Sequence, residues 1–275
     1  MVQLKPGETL TGKDRIQYIK DVTRARNDPI WFMKEKLGWT SIFTKQEEIT
    51  RTFYQHLYSP NAPEYKKLII KAGQRSGKTA LGAKICGFEF FKLLSLDDPA
   101  EHYGLMKHQP IAINCVAASK SQAIDGIFSI MRVDFEENEW INQWFDLKFT
   151  EDRIDCKSKH VFAKVAAAKI DSGAGTGSTS AACFGDEVDL WHKTESKLSA
   201  GLVWSKMVNS TQTLGIKGKC IAISSVQEEN GMINQLYDEG LEEDTTLTYD
   251  LKTWEMNDRL TKEMLLDEYK YKMEM

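Results

Sequence analysis

The chain has 275 residues, 28% of them charged, and a formal net charge of −4. No apolar run reaches the roughly 18 positions that a membrane span requires, and the opening MVQLKPGETLTGKDR lacks the apolar core of a signal peptide. A membrane-spanning reading is therefore excluded, nothing marks export, and the acidic balance gives no overall basic signature for nucleic acid, although one local basic surface is compatible with it.

Residues 12–26 read as a polar helix with Ile16, Ile19 and Val22 on one side, stopped by Asn27-Asp28-Pro29. The aromatic stretch 30–39 is expected to pack on the main body. Thr44 is expected to cap a helix over KQEEITRTFYQHLY, and Ser59-Pro60-Asn61-Ala62-Pro63 closes this opening layer. From there the pattern alternates. KKLIIKA (66–72) predicts a strand, and 79–94 predicts a helix with Leu81, Ile85, Phe88 and Phe91 near one face. IAINCVA (111–117) is a second strand, followed by a Ser119/Gln122 capping box and a helix carrying Ile124, Ile127, Phe128 and Met131. Residues 138–168 are mixed, with a hairpin turning at Lys157–Lys159. AACFGDE (181–187), KCIAISS (219–225) and TTLTYDL (245–251) supply further strands, and 261–275 has a helical pattern. The expected fold is α/β, a mostly parallel sheet with helices on both faces.

The cysteines Cys86, Cys115, Cys156, Cys183 and Cys220 have no paired spacing and read as small buried hydrophobes of a reducing cytoplasm. His56, His102, His108, His160 and His192 are scattered without the spacing of a helical metal pair.

The informative tract is AGQRSGKT. It follows a β run and opens a helix, so the backbone N–H groups of Ala72, Gly73, Gln74, Arg75, Ser76 and Gly77, with the helix N-terminus, would face phosphates. Lys78 would reach the β- and γ-phosphates, and the Thr79 hydroxyl would hold Mg²⁺. A second half-site stands at the end of the run AACFG, where Asp186 would hold the Mg²⁺ shell and Glu187 would polarise the attacking water. The strand 111–117 is expected between these two, as in P-loop proteins with an inserted strand, the ASCE or RecA-like class. The bland alternative for the loop is a surface turn with a solvated lysine.

With these residues in place, residues 27–274 resemble the N-terminal ATPase domain of the large terminase subunit of tailed bacteriophages. The likeness rests on NDPIWFMKEKLG, FTKQEEI, the Walker A tract AGQRSGKT, the Gly-rich SGAGTGS, the Walker B tract CFGDEVD and the coupling motif ISS, in family order. It implies a P-loop NTPase fold and ATP hydrolysis with Mg²⁺, driving double-stranded DNA into a procapsid. By that similarity Gln46 would read adenine, and Ser224 and Ser225 would report loss of the γ-phosphate. Implied partners are the portal protein, the small terminase subunit and further copies in a homo-oligomeric ring on the procapsid, in the host cell cytoplasm and without a membrane. The implied division is an N-terminal helical and aromatic segment (1–60), a P-loop core (61–251) and a C-terminal linker or helix (252–275) ahead of a nuclease domain. No nuclease activity is expected from these residues themselves.

Gln74 stands where many family members carry an arginine, so Arg75 either serves as the cis-acting charge or faces solvent. A trans arginine finger is implied, with Arg132 and Arg153 as candidates. Lys120, Lys157, Lys159 and Lys164 could touch DNA phosphates or simply be solvated. Two rivals stay open: a DExD-type superfamily 2 helicase domain, because of DEVD (186–189), and a nucleotide-gated interaction module, against which Glu187 argues.

Overall fold

Runs that are apolar on both alternating faces can be buried only between two layers. The computed structural model describes residues 12–169, 178–193 and 197–266, with backbone alone for 192, 193 and 197–199. The described strands form one eight-stranded sheet ordered β3-β4-β5-β2-β6-β7-β1-β8. Their ranges are β1 Lys67–Ala72, β2 Ile111–Ala117, β3 Lys148–Phe149, β4 Arg153–Cys156, β5 Val161–Ala167, β6 Thr179–Asp186, β7 Lys219–Ser224 and β8 Thr246–Leu251. Only β3–β4 and β4–β5 pair antiparallel. The predicted strands and the Lys157–Lys159 turn all form, and the α/β P-loop architecture is the expected one.

Alternation along the strands divides the core. Leu68, Ile70, Ile113, Phe184, Ile221 and Ile223 face the helix Lys78–Leu94, whereas Ile69, Val116, Cys183 and Ala222 face the helices Lys197–Thr211 and Met232–Leu241. Helix Lys78–Leu94 is buried nearly all round, not only along the predicted face, because the N-terminal layer covers its outer side. Phe32 stacks on Phe91 with centroids 4.3 Å apart, and Tyr54 meets Phe88 edge-on at 4.9 Å. Each such fully buried ring contributes about 2–3 kcal/mol by area.

Three local readings need correction. The strand between β1 and β6 is β7, not 111–117, which lies beyond β6. A single helix through 119–131 does not form: Ser119 caps as predicted, but after Lys120–Ala123 a widened turn, Ile124–Phe128, precedes Ser129–Glu136. Gly126 leaves helical angles there (φ −89, ψ −124) so that the chain can lie against β6. Thr44 is the first residue of helix Thr44–Phe53 rather than its cap, and its hydroxyl donates to Asp258 instead. The C-terminal helical pattern is described over 262–266, and 267–275 lie outside the described residues.

Candidate functional site

The loop Gly73–Gly77 leaves the end of β1 and turns into the helix that begins at Lys78. Two left-handed residues make the turn, Arg75 (φ 60) and Gly77 (φ 84). At Gly77 the left-handed angle disfavours a side chain, and a Cβ, 2.6 Å from Gln46 Nε2, would also push that amide away from the Gly77 carbonyl.

The loop is gripped from both sides. Gln46 Nε2 donates to the Gly77 carbonyl at 3.1 Å, and Gln46 Oε1 accepts from Phe43 N at 3.0 Å. From the other side Thr253 Oγ1 donates to Gln74 O (3.0 Å) and Asn257 Nδ2 donates to Arg75 O (2.8 Å), while Asp258 Oδ2 accepts from Thr44 N (2.8 Å) and so ties the two gripping segments to each other. With its carbonyls so held, the loop backbone is pre-set, which is what close approach to an anion requires.

The ends of β6 and β7 bring the acids to this loop. Lys78 Nζ, on a residue only 5% exposed, lies 2.9 Å from Glu187 Oε1 and donates to Ser225 Oγ at 2.8 Å. Glu187 Oε2 accepts from Ser225 N at 3.0 Å. Glu187 itself sits in the left-handed region (φ 45), a strained state for a non-glycine residue and one that turns its carboxylate back toward Lys78. Ser224 Oγ lies 2.9 Å from Ser225 O and 3.3 Å from Glu187 Oε2, so these two acceptors share its single proton.

Asp186 differs from its neighbour. It is 7% exposed, and its Oδ1 is buried without a hydrogen-bond partner, as is Ser76 Oγ in the loop. Burial, and then the adjacent Glu187, push the Asp186 pKa up to about 6. A Cβ on Gly126 would lie 2.6 Å from Asp186 Oδ2, so the widened turn exists where β6 delivers this carboxylate. A buried carboxylate with an orphaned oxygen beside an anion-ready loop suits a hard cation such as Mg²⁺. Thr79 is in the first turn of the helix that this loop opens.

The structure therefore gathers Lys78, Glu187, Ser224 and Ser225 into one hydrogen-bonded set with Asp186 adjacent. Gln46 is 1% exposed against the loop, with both ends of its amide engaged by Phe43 N and Gly77 O. Gln74 and Arg75 are at the exposed tip. The two finger candidates are bonded within the chain, Arg132 to Glu136 and Arg153 to Asp155, the latter also lying over the Phe162 ring. Lys120 pairs with Asp152, Lys159 donates to Leu96 O, Lys164 is half-buried, and Lys157 is exposed. Of the Gly-rich tract SGAGTGS, 172–177 lie outside the described residues.

Sequence reasoning missed Gly126, Asp189, Thr253, Asn257 and Asp258. A glycine inside a helical pattern was a signal for the first. DEVD contained the second, but the clamp at 253–258 has no local signature, because polar residues after a strand look like any loop.

A strand, an anion-ready loop and a helix, faced by an acid pair two strands along the same sheet, define a P-loop domain. The chain belongs to the family described as the N-terminal P-loop domain of the uncharacterized protein MJ0330, which it matches over residues 17–274. Among solved structures it is similar to the large terminase ATPase domain of Thermus phage P74-26 (TM-score 0.55, 15% identity, 88% of this chain and 89% of that one). It is similar also to the large terminase of bacteriophage HK97 (0.53, 13%, 77% and 39%) and to the large terminase of a thermophilic bacteriophage (0.52, 15%, 82% and 49%). The chain thus spans less than half the length of either whole terminase. At these identities the likeness is one of fold. No curated protein sequence is similar enough to register as a relative.

Proposed function

We propose that this chain is the ATPase motor domain of a large terminase subunit of a tailed bacteriophage, hydrolysing ATP to drive double-stranded DNA into a procapsid. The observation that carries the hydrolytic reading is the meeting of Lys78, Glu187 and Ser225, from three separate segments, at the mouth of a phosphate loop. The shared fold of the phage ATPase domains supports the motor reading.

The loop amides bind the phosphates and Lys78 exchanges Glu187 and Ser225 for γ-phosphate oxygens. Glu187, released from the lysine, accepts a proton from the attacking water as the water oxygen bonds to phosphorus and the bond to the β–γ bridging oxygen breaks. Ser225, bonded to both partners beforehand, registers whether a γ-phosphate is present. Thr79 and Asp186 would hold Mg²⁺, which when bound neutralises charge on the β- and γ-oxygens. The same reading places the domain in a homo-oligomeric ring on the portal protein, fed by the small terminase subunit, in the host cell cytoplasm.

The test is phosphate release from Mg-ATP over a range of protein concentrations, with and without linear duplex DNA. Glu187→Gln is expected to lower kcat about 10²- to 10⁴-fold, the usual worth of a positioned base, with its melting temperature unchanged. Specific activity that rises with concentration indicates a site completed by a neighbouring copy. ATP-dependent displacement of a third strand from a DNA triplex reports translocation. A wild type with no Mg-ATP turnover would end the reading.

A further inference from the structure

Two residues beyond the proposed base, Asp189 is wholly buried (0% exposed). A buried carboxylate is costly unless its oxygens are satisfied. Here three backbone N–H groups do so: Gln227 N (2.6 Å) and Glu228 N (3.3 Å) donate to Oδ2, and Ile233 N (3.1 Å) donates to Oδ1. The first two belong to the exposed loop after Ser225, the third to the first turn of helix Met232–Leu241. Gly231, the residue preceding that helix, has no side chain to cap it, so Asp189 supplies the cap from a distant segment. Gly231 has ordinary extended angles (φ −69, ψ 161) that any residue adopts, yet a Cβ there would collide with the Asp189 carboxylate. Glycine is required by the carboxylate and not by the backbone.

Asp189 also reaches the catalytic set. Its backbone N–H donates to Ser224 Oγ at 3.2 Å, the hydroxyl that lies against Glu187 and Ser225 O. One residue therefore ties the segment carrying Glu187 to the segment carrying Ser225 and to the helix beyond.

We propose that Asp189 is a positioning residue for the hydrolysis. Acting through Ser224 and the 225–231 loop, it keeps Glu187 and Ser225 in register and joins the loop to helix Met232–Leu241 as one arm that pivots at Ser225. This rests on the ATPase reading. Ser225 is the end of the arm that meets Lys78, so a change at the γ-phosphate is handed through the Asp189 joint to that helix rather than dissipated in the loop.

Asp189→Asn keeps the shape but turns an amide toward N–H donors. Gly231→Ala pushes on the same carboxylate from a residue with no contact to the phosphate loop. Both are expected to lower kcat at least about tenfold, since small misplacements of a catalytic group cost this much, with the KM for ATP within about twofold of wild type. Turnover is read well below each variant's melting temperature and per folded molecule. Unchanged kcat in both, with only a lowered melting temperature, would make Asp189 a structural residue and overturn the proposal, as would a KM that rises in step with the loss of kcat/KM. Should the variants not fold, hydrogen exchange on the wild type decides. The amides of Gln227, Glu228 and Ile233 should stay protected with and without Mg-ATPγS while that of Ser225 changes, and exchange of those three at open-loop rates would sink the idea. Wild-type turnover that survives Glu187→Gln is a different failure, that of the ATPase assignment itself.

Discussion

The two ends of the parallel strands both bury charge, and they treat it in opposite ways. At the starts of the strands, Lys219 on β7 is wholly buried, yet its ammonium donates to Glu64 (3.0 Å), Tyr65 O (2.6 Å) and Ile216 O (3.0 Å). Nearby, Glu89 accepts from Tyr54 (2.7 Å) and Lys92 (3.0 Å). Unbonded polar atoms there, among the described residues, sit on neutral groups: the Ser178 hydroxyl just before β6, and His56 Nδ1 on a ring that burial keeps neutral, with a pKa lowered to about 4. At the other end, Asp186 Oδ1 and Ser76 Oγ are orphaned, and Arg75 and Glu187 hold left-handed backbone. Left-handed backbone occurs at both ends, since His108 and His160 precede β2 and β5, so the difference lies in the charge: it is satisfied at one end and builds structure, and is left with an unbonded oxygen at the other, where a ligand can complete it.

The largest effects should separate the two ends cleanly. Glu187→Gln lowers turnover by the factor given above with little change in stability, because the side chain is partly exposed and the amide oxygen can still accept from Ser225 N, Ser224 Oγ and Lys78. Lys219→Met should do the converse. With the Tyr65 and Ile216 carbonyls left without this donor, and Glu64 left with Lys217 but without its buried partner, it is expected to cost about 2–4 kcal/mol in a urea melt, while turnover per folded molecule stays within about twofold. A Lys219 variant that lost activity before stability would dissolve the contrast.

A smaller effect follows from His56. The unfolded chain takes up a proton near the ordinary histidine value of 6.5, the folded chain only near 4. Stability from the neutral ring is thus fully present above 6.5 and lost as pH falls toward 4. Discounted for solvent contact, the loss is about 1–2 kcal/mol. His56→Gln should flatten that part of a stability-against-pH curve and leave the region above pH 7 unchanged.

How much of this was legible beforehand depended on whether the information was local. The phosphate loop, the acid pair and the serines could be placed because each is a short tract read against its own strand or helix. The order of the strands could not: 111–117 and 219–224 are both apolar on both faces, and which one lies beside β6 toward β1 is decided by crossovers that no single run encodes. Asp189 was written in DEVD, but its partners at 227, 228 and 233 become partners only after β7 has docked. The grip of Thr253 and Asn257 on the loop likewise depends on β8 pairing with β1.

Gln46 gives the smallest and most discriminating prediction. Resemblance assigns it to the adenine, whereas its amide here is spent on Phe43 N and Gly77 O. These are two readings of one side chain with different consequences for the nucleotide. As a strut it shapes the loop that every triphosphate meets, so Gln46→Ala should weaken ATP and GTP by the same factor, about five- to tenfold, equivalent to roughly 1 kcal/mol for two backbone partners left to reorganise. As a reader of the base it would be felt by ATP alone, since a hydrogen-bonding edge discriminates through the groups it leaves unpaired. Equilibrium binding of the two nucleotides to Gln46→Ala, made in a Glu187→Gln background to suppress turnover, distinguishes them. Equal weakening assigns Gln46 to the scaffold; a loss confined to ATP means that the amide exchanges its backbone partners for the base when nucleotide arrives.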